Sequence, residues 1–108
     1  MKKWIPIVVV CLLGSVLSAP ALDAKANWDK QCAKCHGKNG DGNTKMGKKL
    51  KVLDYTDAAV QAKMKDDVMF KSIKEGVKKG SKVRMKPAKD LTDDDIKALV
   101  AFVRGLAK

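Results

Sequence analysis

The chain has 108 residues and carries 23 Lys and Arg against 12 Asp and Glu, a formal net charge of +11 at neutral pH. This length suits one small domain, and the sequence contains neither an internal repeat nor a low-complexity segment. The positive charge predicts acidic partners. Specific binding to nucleic acid is disfavoured because aromatic residues make up only 5% of the chain and no recognition motif is present.

The first segment has the layout of a secretory signal peptide. Two lysines precede an apolar run over residues 4–17, and the sequence APA at 19–21 fits the small-x-small cleavage pattern. An uncleaved anchor is the alternative, but the run is shorter than the roughly 20 residues that a spanning helix needs. We therefore predict a signal peptide over residues 1–21, export to the periplasm, and a mature domain over residues 22–108 that keeps no membrane anchor. Cys11 would leave with the signal peptide.

A first helix is predicted from Asp23 to Cys35. Ala24, Trp28 and Cys32 recur in it every four residues and so share one face. The glycine-rich segment that follows, GKNGDGNTKMGKKL, is unsuited to a helix or strand and predicts a loop able to fold closely over a ligand.

Three more helices are predicted in the second half of the chain. A short one covers residues 57–64 and a longer one, with an apolar face, covers residues 66–77. The basic segment KKGSKVRMKPAKD is then predicted to be a loop. The last helix begins at Thr92, which forms a capping box with Asp95. Its buried stripe comprises Ile96, Leu99, Val100, Val103 and Leu106, with Phe102 beside it.

The hexapeptide CAKCHG holds the only histidine of the chain and two of its three cysteines. On a helix, Cys32 and Cys35 stand one turn apart on the same face, with His36 slightly to one side. Covalent attachment of a c-type haem uses all three side chains, because the cysteines form two thioether bonds and the histidine ligates the iron. The motif therefore predicts one covalently bound haem c.

Three other interpretations of this motif compete with haem attachment. A local disulfide needs only the two cysteines. A zinc site needs two further Cys or His ligands, and outside the motif only Cys11 is available. A thioredoxin-like redox pair normally lies where a strand enters a helix, and no strand-like run flanks this motif.

The second axial ligand of such a haem is sought among the methionines, because the chain has no second histidine. Met64 and Met69 fall in or beside predicted helices, where methionine more often packs in a core. Met46 lies on the glycine-rich loop, only ten residues after the histidine. Met85 alone lies in a late, non-helical loop that leads into the last helix, so we predict that it is the ligand.

Two stretches, NWDKQCAKCHGKNGDGNTKMGKK and VRMKPAKDLTDDDIKALVAFV, resemble a small class I cytochrome c of the single-haem bacterial type close to cytochromes c6, c-551 and c-555. The resemblance covers essentially the whole mature chain. It implies an all-α cytochrome c fold, with about four short helices wrapped around one covalently attached haem. It also implies that Cys32 and Cys35 carry the haem and that His36 and Met85 are its axial iron ligands.

The resemblance implies further that Trp28 packs across Phe102 of the last helix. The chain departs from the family at two positions. Ala24 replaces a frequent glycine where the terminal helices cross, which implies a slightly looser crossing. Lys48 replaces a frequent proline whose carbonyl accepts a hydrogen bond from the ligating histidine, and its own carbonyl remains available for that bond.

These features together predict a monomeric, soluble periplasmic electron carrier that is not an enzyme. A haem-based sensor of small ligands, or a haem enzyme with a displaceable sixth ligand, is the alternative. Loss of Lys2 and Lys3 with the signal would leave 21 Lys and Arg against 12 Asp and Glu, a formal charge of +9. Two groups of cations predict a lysine-rich haem edge that docks acidic redox partners: Lys34, Lys38, Lys48 and Lys49, and Lys78, Lys79, Lys82, Arg84, Lys86 and Lys89.

Overall fold

The computed structural model describes residues 19–108, so the predictions for the preceding signal segment, including Cys11, lie outside the described residues. The elements follow in this order: α1 (Ala19–Asn27), a π-helical turn (Trp28–Cys32), α2 (Ala33–His36), α3 (Lys45–Leu50), α4 (Ala58–Lys63), α5 (Asp66–Glu75), β1 (Val77–Lys79), β2 (Lys82–Met85) and α6 (Asp93–Arg104). None of the helices in this part of the chain is long and apolar enough to span a bilayer.

The first predicted helix is longer than expected and contains a π-helical turn. It runs through α1, the turn and α2, and the N–H of Ala33 donates to the carbonyl of Trp28, five residues back. In a regular α-helix, residues four apart drift by about 40° around the axis. A π turn holds more residues per turn, so it offsets this drift and keeps Trp28, Cys32 and His36 on one face.

The two ends of the described chain meet in the core, where α1 and α5 both contact α6. Trp28 packs on Phe102 as predicted, with ring centroids 5.4 Å apart. Ala24 is 2% exposed, so its methyl group is accommodated inside the core. The core consists of Ala24, Trp28, Ile73, Ile96, Leu99, Val100 and Val103.

The capping box of the last helix is present as predicted. Thr92 Oγ1 accepts a hydrogen bond from the N–H of Asp95 at 3.1 Å, and Asp95 Oδ2 accepts one from the N–H of Thr92 at 3.0 Å. Four residues of the predicted stripe are buried, whereas Leu106 lies beyond the helix end and is half-buried against the core. This helix therefore follows from its local sequence alone.

Two predicted loops contain regular structure. The glycine-rich segment includes α3, whose first turn is capped by Thr44. The basic segment forms an antiparallel hairpin of β1 and β2, in which Val77 pairs with Met85 and Lys78 with Val83. The helix before it ends at Glu75, not Val77, because Gly76 adopts a φ of 77° that ends the helical run. The chain remains mostly helical, as the predicted fold class requires.

Candidate cofactor site

A cavity of about 460 Å³ lies between the first helix, α5, α6 and the hairpin. Its size is in the range of pockets that hold cofactor-sized ligands. Most of its wall is apolar, and it is lined by Trp28, Cys32, His36, Leu53, Tyr55, Lys63, Met64, Lys65, Val68, Met69, Ser72, Ile73, Met85, Leu99 and Val103. The cavity therefore brings together three of the four predicted site residues: Cys32, His36 and Met85.

The fourth predicted residue, Cys35, is half-buried one turn from Cys32 and is not among the residues that line the cavity. Both cysteines are free thiols, so the disulfide interpretation has no counterpart here. Burial, with a smaller contribution from Cys35, raises the pKa of the Cys32 thiol to about 11. At neutral pH Cys32 is therefore a protonated side chain facing an apolar space.

His36 faces the same cavity as a neutral imidazole, because burial lowers its pKa. Within the described part of the chain, its Nδ1 atom is buried and has no hydrogen-bond partner. A neutral imidazole has one unprotonated ring nitrogen, which is the form that ligates a metal. Its protonation state therefore suits an iron ligand.

The main chain around this motif is held by three hydrogen bonds to consecutive carbonyls. Thr44 Oγ1 donates to the carbonyl of Cys35 at 2.6 Å, the N–H of Gly42 donates to that of His36 at 2.8 Å, and Trp28 Nε1 donates to that of Gly37 at 3.0 Å. The donors come from the glycine-rich segment and from the buried tryptophan. The glycine-rich segment therefore helps to fix the end of α2.

Aromatic rings surround the imidazole of His36. Its ring centroid lies 5.6 Å from that of Trp28 and 5.2 Å from that of Tyr55. The expected hydrogen bond from this histidine to the carbonyl of Lys48 is not formed: Lys48 lies within α3, and Nδ1 stays unpaired in the structure of residues 19–108. Ring contacts, rather than a carbonyl, orient the imidazole.

Methionines enter the cavity from three elements. Met85 lies at the end of β2, Met64 lies at the C-terminal cap of α4, and Met69 lies on α5. Met46, on α3, is not among the lining residues. Sequence reasoning assigned Met64 and Met69 to core packing, and both do contact the core while also facing the cavity.

Large apolar side chains at the cavity are exposed to an unusual degree. Leu53 is 54% and Val68 is 56% exposed, although both line its wall. Exposed apolar surface of this kind marks a ligand-binding site. A flat, mostly apolar macrocycle such as haem would cover these side chains, and Cys32 and His36 face the same space. The residues present therefore fit haem.

The zinc and thioredoxin-like interpretations find no support in the geometry. Within residues 19–108, no group of three or more His, Cys, Asp or Glu side chains lies close enough to hold a metal ion. The motif follows helical turns at the end of a long helix, without a strand leading into it.

Sequence reasoning missed several residues of this site. Tyr55 is the only tyrosine in the chain and lies in a short loop, which is the one signal that could have drawn attention to it. Gln61 and Arg104 do not line the cavity but hydrogen-bond to main-chain carbonyls of residues that do. Gln61 Nε2 donates to the carbonyls of Tyr55 and Val103, both at 2.8 Å, and nothing in the local sequence marks this role.

Comparison with known proteins agrees with this site. Residues 19–103 match the family model described as cytochrome C oxidase, cbb3-type, subunit III. The solved structure named KustC0563 c-type cytochrome is 36% identical, covers 80% of this chain and 99% of its own, and has a TM-score of 0.70.

A tyrosine-to-phenylalanine mutant of Kustc0563 gives a TM-score of 0.67 at 35% identity and covers 78% of this chain and 98% of its own. The comparison with curated proteins found no significant match to this chain. The family model spans the motif, the residues that line the cavity and all but the last residue of α6. The chain belongs to this cytochrome c family and is a c-type cytochrome, a protein that binds the iron-containing cofactor haem c covalently.

Proposed function

We propose that this cytochrome is an exported electron carrier that exchanges single electrons with protein partners through one haem. Cys32 and Cys35 would carry the haem as thioethers, and His36 and Met85 would ligate its iron. The observation that carries the proposal is the convergence of Cys32, His36 and Met85 on one apolar cavity, although Met85 is 49 positions after the histidine in the sequence. Such a convergence is what a six-coordinate haem requires.

The bound haem would supply a reversible one-electron iron couple, and the protein's own residues would set its environment. His36 is held as a neutral imidazole between Trp28 and Tyr55. With haem bound, the apolar wall would limit the access of water to its faces and would thereby influence the reduction potential. A thioether as second ligand raises the potential relative to a second histidine.

Met85 is our choice among the three methionines that line the cavity. Met64, Met69 and Met85 all pack against the core, so core contact does not distinguish them, but Met64 and Met69 belong to helical segments. Met85 sits on a strand outside the helices and in the sequence RMKP, which matches the ligand loop of class I cytochromes c. The hairpin thus brings a thioether to the cavity from an element outside the helices, although Met85 also contacts the core.

The hairpin is also our candidate for the docking surface of an acidic redox partner. The cations of the hairpin and of the segment that follows it are all exposed, and none of them takes part in an ion pair with another described residue. The valines Val77 and Val83 on it are 38% and 50% exposed, so apolar contact area lies among the charges. These cations are Lys78, Lys79, Lys82, Arg84, Lys86 and Lys89.

Binding of carbon monoxide to the ferrous protein distinguishes an electron carrier from a ligand sensor or haem enzyme. A carrier with both axial positions filled should show almost no change in its ferrous spectrum under carbon monoxide, and should titrate as one reversible one-electron couple. The Met85→Ala variant should keep its covalent haem, lose the far-red band between sulfur and ferric iron, and bind carbon monoxide. Avid binding by the unaltered protein would instead indicate a displaceable ligand and support the sensor or enzyme.

Export is tested on the full chain expressed in a bacterium that attaches haem c. We expect the haem protein in the periplasmic fraction, with Leu22 as its first residue, because cleavage is predicted after residue 21. Recovery of the intact 108-residue chain in the membrane fraction would show that the N-terminal segment acts as an anchor.

A further inference from the structure

Gly76 lies unusually close to the main chain of the Met85 segment. It follows α5 with a φ of 77°, and a Cβ atom built on it would lie 2.5 Å from the carbonyl oxygen of Met85 and 2.9 Å from Cδ of Pro87. Real Cβ atoms essentially never approach other heavy atoms within 3.0 Å. Only glycine therefore permits the main chain of Met85 and Pro87 to lie this close to the end of α5.

The segment after Met85 is anchored at two further points. The N–H of Ala88 donates to the carbonyl of Ile73 at 2.9 Å. The side-chain amide of Gln31 bonds the main chain of Lys89 in both directions, at 2.9 and 2.8 Å. Ile73 lines the cavity and Gln31 lies in the π turn beside the haem-attachment motif. The chain that carries Met85 is thus tied to both neighbouring walls.

We propose that Gly76 is a positioning residue for the second axial ligand: its missing side chain lets the main chain of Met85 lie against the end of α5, at the depth from which the thioether enters the cavity. This inference rests on the proposed ligation by Met85. A side chain at position 76 would push the Met85 carbonyl outward. Because Met85 is the last residue of β2, that displacement would withdraw its sulfur from the cavity.

Gly80 provides a control for placing an L-residue at positive φ without a steric contact. It also has a positive φ, of 62°, but a Cβ on it would meet no described atom within 4 Å. Gly76→Ala and Gly80→Ala both place an L-residue at positive φ, but Gly76 also has a ψ of −178°, in a region almost restricted to glycine, so Gly76→Ala carries the larger backbone cost. Only Gly76→Ala adds a steric contact with the Met85 segment.

The experiment uses the haem-loaded full chain in four forms: unaltered, Gly76→Ala, Gly80→Ala and Met85→Ala. Gly76→Ala should retain covalent haem and helical circular dichroism, lose most of the far-red sulfur-to-iron band, and gain carbon monoxide binding. Gly80→Ala should keep the band and stay inert to carbon monoxide. A band that survives in Gly76→Ala, or that weakens equally in both glycine variants, would overturn the inference.

The Met85→Ala variant distinguishes an error in the proposed ligation by Met85 from an error in the positioning role of Gly76. If that variant retains the band, Met85 is not the ligand and the proposed ligation itself is wrong. If it loses the band while Gly76→Ala retains it, only the positioning role is wrong.

Should Gly76→Ala yield no folded holoprotein, Pro87→Ala replaces it. This change removes the Cδ atom that a Cβ at position 76 would meet at 2.9 Å, and with it the ring that restrains the main chain after Met85. A less restrained main chain at residues 85–87 should leave the far-red band in place but allow measurable binding of carbon monoxide to the iron. Unchanged resistance to carbon monoxide would then count against the inference.

Discussion

The imidazole of His36 lies stacked on the phenol ring of Tyr55, with centroids 5.2 Å apart and an interplanar angle of 25°. Tyr55 is itself fixed, because its N–H donates to the carbonyl of Gly40 and its carbonyl accepts from Gln61, both at 2.8 Å. A ring in the loop before α4 therefore restrains the histidine of the haem-attachment motif. The contact joins two segments that are 19 positions apart in the sequence.

Replacing Tyr55 separates the role of its ring from that of its hydroxyl. Tyr55→Leu removes the stack and should lower the free energy of unfolding by about 1–2 kcal/mol, in line with the worth of an aromatic pair and its buried area. Tyr55→Phe keeps the ring and should cost less than about 0.5 kcal/mol. Denaturant unfolding of the haem-loaded variants measures both, and equal losses would show that the hydroxyl, not the stack, matters.

The cysteines should each form one thioether, so the exported protein should have the mass of the mature polypeptide plus one haem. Cys32→Ala and Cys35→Ala should each reduce the yield of covalently bound haem by roughly tenfold, since one of two attachment points is lost. Intact-protein mass spectrometry after acid extraction of free haem measures this. The apo mass with an intact disulfide in the unaltered protein would contradict covalent attachment.

Charge reversal on the hairpin should slow partner encounter. Lys82→Glu with Lys86→Glu should reduce the rate of electron transfer to an acidic partner at low salt by roughly tenfold, and should flatten its salt dependence. The control, Lys71→Glu with Lys97→Glu, changes the net charge equally on exposed positions of α5 and α6. Equal slowing by both pairs would show that net charge, rather than the hairpin, guides association.

Arg104 should stabilise the cavity wall mainly through main-chain carbonyls. Its guanidinium donates to the carbonyls of Gln61 and Met64, both at 2.6 Å, and to Asp66 at 2.8 Å. Arg104→Ala should cost about 2–3 kcal/mol because it leaves partly buried carbonyls without a donor. Asp66 is 70% exposed, so Asp66→Asn should cost less than about 1 kcal/mol. Comparable losses in denaturant unfolding would show that the ion pair dominates.

Features set by neighbouring residues could be predicted from the sequence. The capping box at Thr92 and the stripe of α6 need only residues three or four apart, and the CAKCH motif identified the cofactor. The contact of Trp28 with Phe102 spans most of the domain and was available only from the resemblance to class I cytochromes c. Its presence in the structure confirms that part of the comparison.

The missed features depend on tertiary contacts. The hairpin is predicted as a loop because the segment KKGSKVRMKPAKD is basic and interrupted by Pro87, and Val77 is predicted to end the preceding helix. Strand pairing becomes visible only when the ends of the segment meet at Val77 and Met85. The π turn likewise depends on the packing of a whole helix, since its residues are ordinary helix formers.

Among residues 19–108 the hairpin is a sheet of two strands, so each strand has an outer edge with unpaired main-chain groups in this part of the chain. Such edges invite pairing with the same strand of another molecule, and charged side chains, lysine above all, are a common protection against it. The cations proposed to attract a redox partner therefore also keep one copy of the protein from adding its hairpin to another. Replacing these cations with threonine or valine would remove both the attraction of a redox partner and the protection against strand pairing. We would then expect fibrous aggregation even where no redox partner is present.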